Sequence, residues 1–473
     1  MSELRAAAEI AGILEARERA LPIIVVKAER HTLQMRFVEP PPPPNRSEFS
    51  GVKLKVGERE VTLGPCRFYS HAANPLRRHD DPPPEGDGRL AFVGDVYDFG
   101  SLQRAGLVFD LQKRLEQLPV LWARKQEIRP AFREYVAELV YDLQVYRSVF
   151  DEIDRQLAHE PYDVRGEVHR VATRAEYPRF KELFDNKLAE LETTVKDFTY
   201  EEHERHGFYL RKHTWDIIRA SEFLVRTNLK PRGYAGDSMM MRMLYENEFR
   251  GPTIFSRFIH RHPVETAAAQ AVRNRVGLLS ARIAQLAKER PAAQKVRIMS
   301  VASGPAWELR EVFRRRSDFE RLEVALLDQD TDALAEAQGL VSLLEATHQA
   351  KLHVRYIRES VRTMLRDPAM VETWGKFTFL YSMGLFDYLT APVAKVVLTK
   401  LYDLLEPGGE LLIGNFHVGD PTRIYLEYWM DWVLLHRSEE ELLALADGLN
   451  PAQSTVVFEE TRSQMFLCLR KDG

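Results

Sequence analysis

Strand-like and helical runs alternate regularly between residues 295 and 473, and few folds accommodate such a pattern. Five apolar, strand-like runs are each followed by a helical run: KVRIMSVAS, RLEVALLDQD, LHVRYIRES, KFTFLYSMGLFDYL and GGELLIGNF. This alternation predicts a doubly wound parallel sheet, and the apolar strands indicate burial on both faces. A short loop joins two final β runs, STVVFEET and SQMFLCLRK, so these must pair antiparallel. The segment predicts an α/β, Rossmann-like fold with a seven-stranded sheet that closes with an antiparallel hairpin.

The sequence before residue 295 has a different pattern of apolar residues. Residues 1–101 contain short β-type runs separated by the proline-rich stretches EPPPPPN and DDPPPEGDG, which cannot be central strands. They predict a small β domain with exposed loops. Residues 102–263 carry apolar residues at helical spacing and predict a helical region. We therefore expect three parts, with the boundaries 1–101, 102–263 and 264–473.

The bulk composition favours a soluble protein of the reducing cytoplasm. A net charge of −4 gives no electrostatic reason to expect nucleic acid or an anionic membrane as a partner. The two cysteines, Cys66 and Cys468, predict neither a disulfide framework nor a metal site. Charged residues interrupt every apolar stretch, including the N-terminal one, so neither a membrane span nor a signal peptide is expected.

Three histidines in HERHGFYLRKH, His203, His206 and His213, raise the question of a metal site. Their spacing matches no standard zinc site. We expect surface histidines there and no bound metal.

The stretch VASGPAWEL lies where the first strand of the alternating segment ends. It offers Ser303, Gly304 and Pro305 as candidate cofactor-binding residues. Gly304 allows the backbone to approach a ligand closely, and Pro305 suits the first turn of a helix AWELREVFRRR. The pattern G-x-G-x-x-G, which cradles a pyrophosphate, is absent, and this argues against NAD and FAD.

The five β/α units and the closing hairpin resemble the layout of class I methyltransferases that use S-adenosylmethionine (SAM). The resemblance implies SAM as the cofactor, bound beyond the carboxyl ends of the strands. SAM has no phosphate, so its binding turn needs fewer glycines. The resemblance also implies roles for residues at the ends of the next three strands: Asp328, Gln329, Glu359, Ser360, Ser382, Met383 and Gly384.

Each of these roles has a structural alternative. Asp328 is favoured to accept the ribose hydroxyls, and Asp330 to cap the following helix. Glu359 or Ser360 would meet the adenine amino group, although Ser360 is equally suited to a helix N-cap. Ser382, Met383 and Gly384 are placed at the methionine end of the cofactor.

A second resemblance covers roughly residues 200–470. The stretch KPRGYAGDSMMMRMLYENEFRG at 230–251, with AVRNRV at 271–276, is similar to a bacterial family of extracellular-factor (3-hydroxypalmitic acid methyl ester) synthases. This implies O-methylation of a carboxylate, such as that of a hydroxy fatty acid, to a methyl ester used in quorum sensing. A methyltransferase of another natural-product or protein acceptor, or a non-catalytic nucleotide-binding or partner-binding signalling protein, remains open, as does a homodimer.

The segment GYAGD within that stretch contributes two further candidates. Tyr234 and Asp237 are expected to face the methionine end of SAM, where Asp237 would accept from the ammonium group. The alternative for Asp237 is the N-cap of the methionine-rich helix that follows. The methionines of that helix are either core residues or the lining of a lipid tunnel.

The acceptor side is predicted around IGNFHVGD, at the end of the fifth strand. His417, Asn415 and Tyr234 are the candidate catalytic residues, with His417 as a base or a positioning donor, or else a solvated loop histidine. A carboxylate acceptor needs no base, whereas an alcohol or phenol needs one. In the next helix, PTRIYLEYWMDWVLL, Tyr425, Tyr428 and Trp429 either wall the substrate or pack in the core.

The N-terminal β domain resembles PilZ-type barrels that bind a cyclic dinucleotide. Arg30 and Arg36 in AERHTLQMRF would correspond to their arginine-rich entry motif. The second motif of that family, Asp/Asn-x-Ser-x-x-Gly, is missing here. A structural or partner-docking β domain without a ligand is therefore expected.

Overall fold

A computed structural model of the chain describes residues 10–15, 20–29, 32–38, 42–56, 59–70, 87–92, 115–116, 118–366 and 370–473. The chain forms two compact units, Met1–Glu127 and Ile128–Gly473. Most of the predicted helical region and the whole predicted α/β segment belong to the second unit. The finer division at 101 and 263 stays a prediction.

The first unit contains an antiparallel sheet of eight strands, which confirms the predicted β region. The strand order is β4-β7-β8-β3-β2-β1-β5-β6. The strands are β1 (Ile10–Glu15), β2 (Ala20–Glu29), β3 (Thr32–Phe37), β4 (Glu48–Phe49), β5 (Gly51–Val56), β6 (Arg59–Leu63), β7 (Cys66–Ser70) and β8 (Gly88–Phe92). Alternate residues such as Val52 and Leu54 point into one apolar core, as the period of a strand requires.

Strand β1 was not among the predicted strands. Of the two arginines singled out there, Arg36 is exposed on β3, and Arg30 lies outside the described residues. The cysteine of β7, Cys66, is buried and free.

The second unit begins with helices that pack around an aromatic-rich core. A short helix at the end of the first unit, α1 (Leu118–Arg124), precedes them. The helices of the second unit are α2 (Pro130–Gln156), α3 (Tyr162–Val195), α4 (Tyr200–His213), α5 (Trp215–Ile218), α6 (Glu222–Leu229), α7 (Ser238–Glu246), α8 (Ile254–Val264) and α9 (Ala267–Glu289). In the described parts of the chain, no helix has the length and apolar character needed to cross a membrane.

The seven-stranded sheet of the second unit has the order β11-β10-β9-β12-β13-β15-β14. Its strands are β9 (Val296–Val301), β10 (Leu322–Asp328), β11 (His353–Arg358), β12 (Phe377–Ser382), β13 (Leu405–Phe416), β14 (Gln453–Phe458) and β15 (Gln464–Arg470). Strands β9 to β13 are parallel, and β15 is antiparallel to both β13 and β14. The predicted α/β fold with a closing antiparallel hairpin is confirmed.

Helices connect these strands. They are α10 (Leu309–Val312), α11 (Arg316–Arg321), α12 (Thr331–His348), α13 (Val361–Arg366), α14 (Met370–Trp374), α15 (Ala391–Asp403), α16 (Arg423–Trp429) and α17 (Glu439–Leu443). The chain runs from β9 outward to β11 and then crosses to β12 on the other side of β9. This reversal is a switch point, where the loops at the carboxyl ends of β9 and β12 separate and leave a crevice.

Two predicted helices differ from the structure. Within AWELREVFRRR only Leu309–Val312 is helical, as α10, and α11 begins at the last residue of that stretch. Pro305 lies in a turn before α10, so its predicted place in the first helical turn is wrong. The helix predicted over 421–435 ends at Trp429, and the chain then runs beside β13, where the Arg437 backbone N–H donates to the Phe416 carbonyl.

Candidate functional site

A cavity of about 390 Å³ opens at the carboxyl ends of the parallel strands in the second unit. Part of its lining, here the strand-end lining, comes from the loops after β9 to β12: Ser303, Gly304, Asp328, Gln329, Glu359, Ser360, Met383 and Gly384. The rest, here the apolar lining, comes from helices and from the segment after α16: Phe223, Leu244, Tyr245, Leu426, Met430, Trp432 and Leu434. One cavity therefore combines a polar edge with an apolar wall.

The turn after β9 has an uncommon backbone. Gly304 has a φ of +55°, and the alanines Ala302 and Ala306 have φ values of +53° and +52°. Residues with a Cβ atom adopt this left-handed region at an energetic cost, which proteins tend to accept at functional sites. A Cβ atom on Gly304 would meet no atom within 4 Å, so the backbone there borders open cavity space.

Asp328, at the end of β10, holds that turn in place. Its Oδ2 accepts from the Gly304 backbone N–H at 2.7 Å, and its Oδ1 accepts from the Asp330 N–H at 2.9 Å. Burial raises the pKa of this carboxyl, while the N–H donors act in the opposite direction. Each carboxylate oxygen can accept a further hydrogen bond, so Asp328 can still bind hydroxyl groups from the cavity.

Asp330 has the structural role predicted for it. Its Oδ1 accepts from the backbone N–H groups of Asp332 and Ala333 and so caps α12. Its Oδ2 accepts from Arg232 at 2.9 Å and from the Tyr234 hydroxyl at 3.2 Å. Tyr234 lines the cavity, and burial raises its pKa.

Asp237 does not line the cavity. It caps α7 by accepting from the Met240 N–H at 3.0 Å, and both its oxygens accept from Arg226. The side chain is fully buried. The N-cap alternative describes its position, and its carboxylate is already satisfied by protein donors.

The predicted residues after β11 and β12 separate into two groups. Glu359, Ser360, Met383 and Gly384 line the cavity, and Ser360 also caps α13 through the Thr363 N–H at 3.3 Å. Ser382 does not line it: the side chain is buried and its hydroxyl donates to the Val301 carbonyl at 2.9 Å.

The structure does not bring Asn415 or His417 to the cavity. Asn415 is fully buried, and its amide donates to the carbonyls of Phe416 and Leu435 while its oxygen accepts from Arg437. His417 accepts from the Gly419 N–H through Nδ1 at 3.1 Å and packs against a phenylalanine ring. Both side chains serve local structure at the end of β13.

The aromatic residues of α16 pack in the core. Tyr425 contacts His262, and Tyr428 contacts His203, through their hydroxyls at 3.2 and 2.9 Å. Trp429 is fully buried. Within the described ranges, no cluster of histidine, cysteine or acidic side chains is arranged to hold a metal ion.

Three charged cavity residues were missed from the sequence. Glu308 lines the cavity and accepts from the Tyr381 hydroxyl at 2.8 Å, and burial raises its pKa. Arg275 on α9 donates to the Met383 carbonyl at 3.1 Å. Arg275 is the one cation in the cavity lining as far as the described residues show.

The third missed residue is Asp387, in a short 3-10 turn, Phe386–Tyr388, after β12. Its Oδ1 accepts from the Phe416 N–H at 2.7 Å, and burial raises its pKa to about 6. Asp387 lies in GLFDYL, the end of the fourth strand-like run of the sequence, and is not among the residues predicted there. No feature of the neighbouring sequence distinguishes an aspartate that caps a helix from one that is buried against a strand distant in the chain.

Comparisons with known proteins assign the chain to no family. No protein-family model matches the chain, and no curated protein matches it. Among solved structures, a possible exported protein of Bordetella parapertussis is 17% identical, with 55% of this chain and 86% of that chain covered and a TM-score of 0.42.

Two methyltransferases are also similar to part of the chain. The magnesium protoporphyrin IX methyltransferase of Synechocystis PCC 6803, solved with bound SAM, is 10% identical, with 43% of this chain and 83% of that chain covered and a TM-score of 0.30. An O-methyltransferase family protein of Burkholderia thailandensis is 15% identical, with 58% of this chain and 73% of that chain covered and a TM-score of 0.33.

Proposed function

We propose that the chain is a SAM-dependent methyltransferase (EC 2.1.1.-) that acts on a small-molecule acceptor. The observation that carries the proposal is the position of Asp328. Asp328 is the last residue of β10, the strand next to β9, and it lines the cavity. Its carboxylate accepts from the Gly304 N–H and so holds the turn in place. A buried carboxylate beside an open glycine turn at a switch point suits the two ribose hydroxyls of an adenosine group.

The charges of the lining suit SAM better than a phosphate-containing cofactor. In the described part of the chain, the loops after β9, β10 and β11 bring the acidic residues Glu308, Asp328 and Glu359 to the lining, against one cation, Arg275. SAM carries a sulfonium and an ammonium group, both positive, whereas a pyrophosphate would be repelled by these carboxylates. Arg275 can pair with the carboxylate of the methionine part.

SAM supplies an activated methyl group bonded to a positively charged sulfur. The protein then has to align acceptor and methyl group and exclude water, a contribution that reaches several kcal/mol in enzymes. The cofactor residues predicted from the sequence remain in the proposal where they line the cavity. They are Tyr234, Ser303, Gly304, Pro305, Asp328, Gln329, Glu359, Ser360, Met383 and Gly384. Asp237 and Ser382 are left out because their polar atoms are bonded elsewhere.

The acceptor is proposed to have an apolar body. Phe223, Leu244, Leu426 and Trp432 offer it a wall without charge. A hydroxy fatty acid, as the second sequence resemblance implies, would suit such a wall. Quorum-sensing signal synthesis and a cytoplasmic location remain part of this proposal on the sequence evidence alone.

Isothermal titration calorimetry with SAM tests the proposal. We expect binding to the full-length chain and at least about a tenfold loss of affinity in Asp328→Ala, since the ribose hydroxyls lose a charged acceptor. Glu323→Gln, at the amino end of the same strand, is the matched control and should leave the affinity unchanged. Absence of SAM binding to the unmodified chain overturns the proposal, and unchanged affinity in Asp328→Ala overturns the role of Asp328.

A further inference from the structure

We propose that the methyl acceptor is an uncharged hydroxyl group, an alcohol or a phenol, on an apolar body, and that Asp387 takes its proton. This inference rests on the proposed methyltransferase function. It differs from the sequence-based expectation of a carboxylate acceptor, for which no base is required. It starts from the position of Asp387 between the two parts of the cavity lining.

Asp387 is connected to both linings. It follows Met383 and Gly384 of the strand-end lining in the same loop. On the other side, its Oδ1 accepts from the backbone of Phe416, and the hydroxyl of the neighbouring Tyr388 accepts from the Trp432 indole N–H at 2.8 Å. A group at this position adjoins the place where an acceptor against the apolar lining meets the cofactor.

One carboxylate oxygen of Asp387 is available to a ligand. Phe416 is the hydrogen-bond donor to Oδ1, and no described residue donates to Oδ2. Asp387 itself lines the cavity, and its Oδ2 is not one of the described polar atoms that are buried without a hydrogen-bond partner, so this oxygen keeps some exposure. Because a buried acceptor without a donor is costly, this oxygen is suited to receive a donor from a ligand.

The basic residues around Asp387 form hydrogen bonds with other groups. Arg437 donates to the carbonyls of Phe386 and Leu389 and to Asn415, and Arg275 donates to the Met383 carbonyl. The Nδ1 of His436 lies 3.2 Å from the Leu434 carbonyl. In the described part of the chain, none of them forms a salt bridge with Asp387.

The carboxylate can therefore act as a base near neutral pH. Burial, the largest influence on Asp387, raises its pKa to about 6, and the neighbouring His436, Arg275 and Arg437 oppose that rise. A general base works best when its pKa is close to the working pH. A carboxylate acceptor would gain nothing from such a group and would be repelled by it.

The step balances without an added reactant. The acceptor O–H gives its proton to the Asp387 carboxylate, and the oxygen lone pair forms a bond to the methyl carbon. The carbon–sulfur bond breaks, and its electron pair stays on sulfur, which becomes a neutral thioether. The products are a methyl ether and S-adenosylhomocysteine, and Asp387 later releases the proton to water.

The first test measures acceptor binding to the full-length chain saturated with S-adenosylhomocysteine, with decan-1-ol and decanoate as probes at about pH 8. We expect decanol to bind at least about tenfold more tightly, and Asp387→Asn to strengthen decanoate binding at least about fivefold by removing the negative charge. Tighter binding of decanoate, binding of neither probe, or an unchanged decanoate affinity in Asp387→Asn overturns the inference.

The second test follows labelled methyl groups from SAM into 4-hexylphenol, decan-1-ol and decanoate. We expect a base-stable ether, with a rate that rises with pH through about 6 and falls at least about hundredfold in Asp387→Asn. Ester formation from decanoate in preference to ethers, no transfer to the hydroxyl probes, or full ether synthesis by Asp387→Asn overturns the inference.

SAM affinity separates this inference from the proposed function. Asp387→Asn should bind SAM within about threefold of the unmodified chain, because Asp328 and the Gly304 turn are untouched. Glu323→Gln is the matched control for loss of a carboxylate and should keep both SAM binding and transfer. If the unmodified chain binds no SAM, the methyltransferase proposal itself has failed, and the inference about Asp387 falls with it.

Discussion

Glu308 and Tyr381 show how one buried pair supports the cavity. Glu308 lies at the start of α10, and the hydroxyl of Tyr381 on β12 donates to its Oε1 at 2.8 Å. Nearby, the rings of Tyr245 and Trp307 stack with centroids 5.6 Å apart. The Glu308–Tyr381 pair thus attaches the chain after β9 to β12, and Asp328 attaches it to β10.

Tyr381→Phe should destabilise the protein by about 1–3 kcal/mol, because it leaves a buried carboxyl without its O–H donor. Since that donor favours the charged form, its loss should raise the pKa of Glu308 further. The loss of unfolding free energy, measured in denaturant, should therefore be larger at about pH 7.5 than at about pH 5. Tyr402→Phe, on α15, is the control. A loss equal to that of the control would contradict the role of the pair.

Asp387→Asn should change stability in a pH-dependent way. The pKa of Asp387 in the folded chain, about 6, lies above the ordinary value of 3.8, so protonation favours the folded state. The contribution of Asp387 to the free energy of unfolding is fully present at low pH and is lost as pH rises through about 6. Asparagine avoids that loss and can still accept from Phe416.

The measurement compares unfolding free energies of Asp387→Asn and the unmodified chain. The difference should shift in favour of the variant by about 1 kcal/mol between about pH 5 and about pH 7.5. A difference that stays constant over this range would mean that Asp387 is not buried as the structure has it.

At the scale of elements, α7 begins on a charged anchor. Asp237 caps the helix, and Arg226 on α6 donates to both of its oxygens at 2.8 Å. Asp237→Ala should cost about 3 kcal/mol, because it removes the cap and leaves the arginine half-buried without a partner. Asp237→Asn should cost less, since an amide oxygen still accepts from the Met240 N–H.

Thermal unfolding and SAM titration of both variants test this assignment. SAM affinity in Asp237→Asn should stay within about twofold, because the carboxylate lies outside the cavity. A large loss of affinity at unchanged stability would instead support the ammonium-binding role considered from the sequence.

The strands of the second unit could be predicted from the sequence, whereas the segment after Trp429 could not. Apolar runs such as RIMSV and LEVALL are local signals of buried strands, and the alternation with helices fixes their direction. Asp328 was found for the same reason: it ends such a run. By contrast, residues 430–435 continue a helical pattern, but Asp431 accepts from Arg211 and Lys230, which are more than 200 residues away. Contacts of that range leave no mark on local periodicity.

At the scale of the whole molecule, all the described residues that line the cavity lie between Phe223 and Leu434. They therefore belong to the unit Ile128–Gly473, which has its own apolar cores. The first unit has a separate core of its own. SAM binding should accordingly need only the second unit.

A fragment of residues 128–473 tests this directly. It should fold cooperatively and bind SAM within about threefold of the full-length chain, as measured by calorimetry. A fragment that folds but does not bind SAM would show that the first unit contributes to the site.

The two linings of the cavity come from different stretches of the chain. Strand-end loops supply one, and helices with the segment after α16 supply the other. Selection can therefore alter the apolar lining, and with it the size of the ligand that fits the cavity, while the strand-end loops stay the same. A lineage with this architecture could change the ligands that it accepts through a few substitutions at Leu244, Met430 or Trp432.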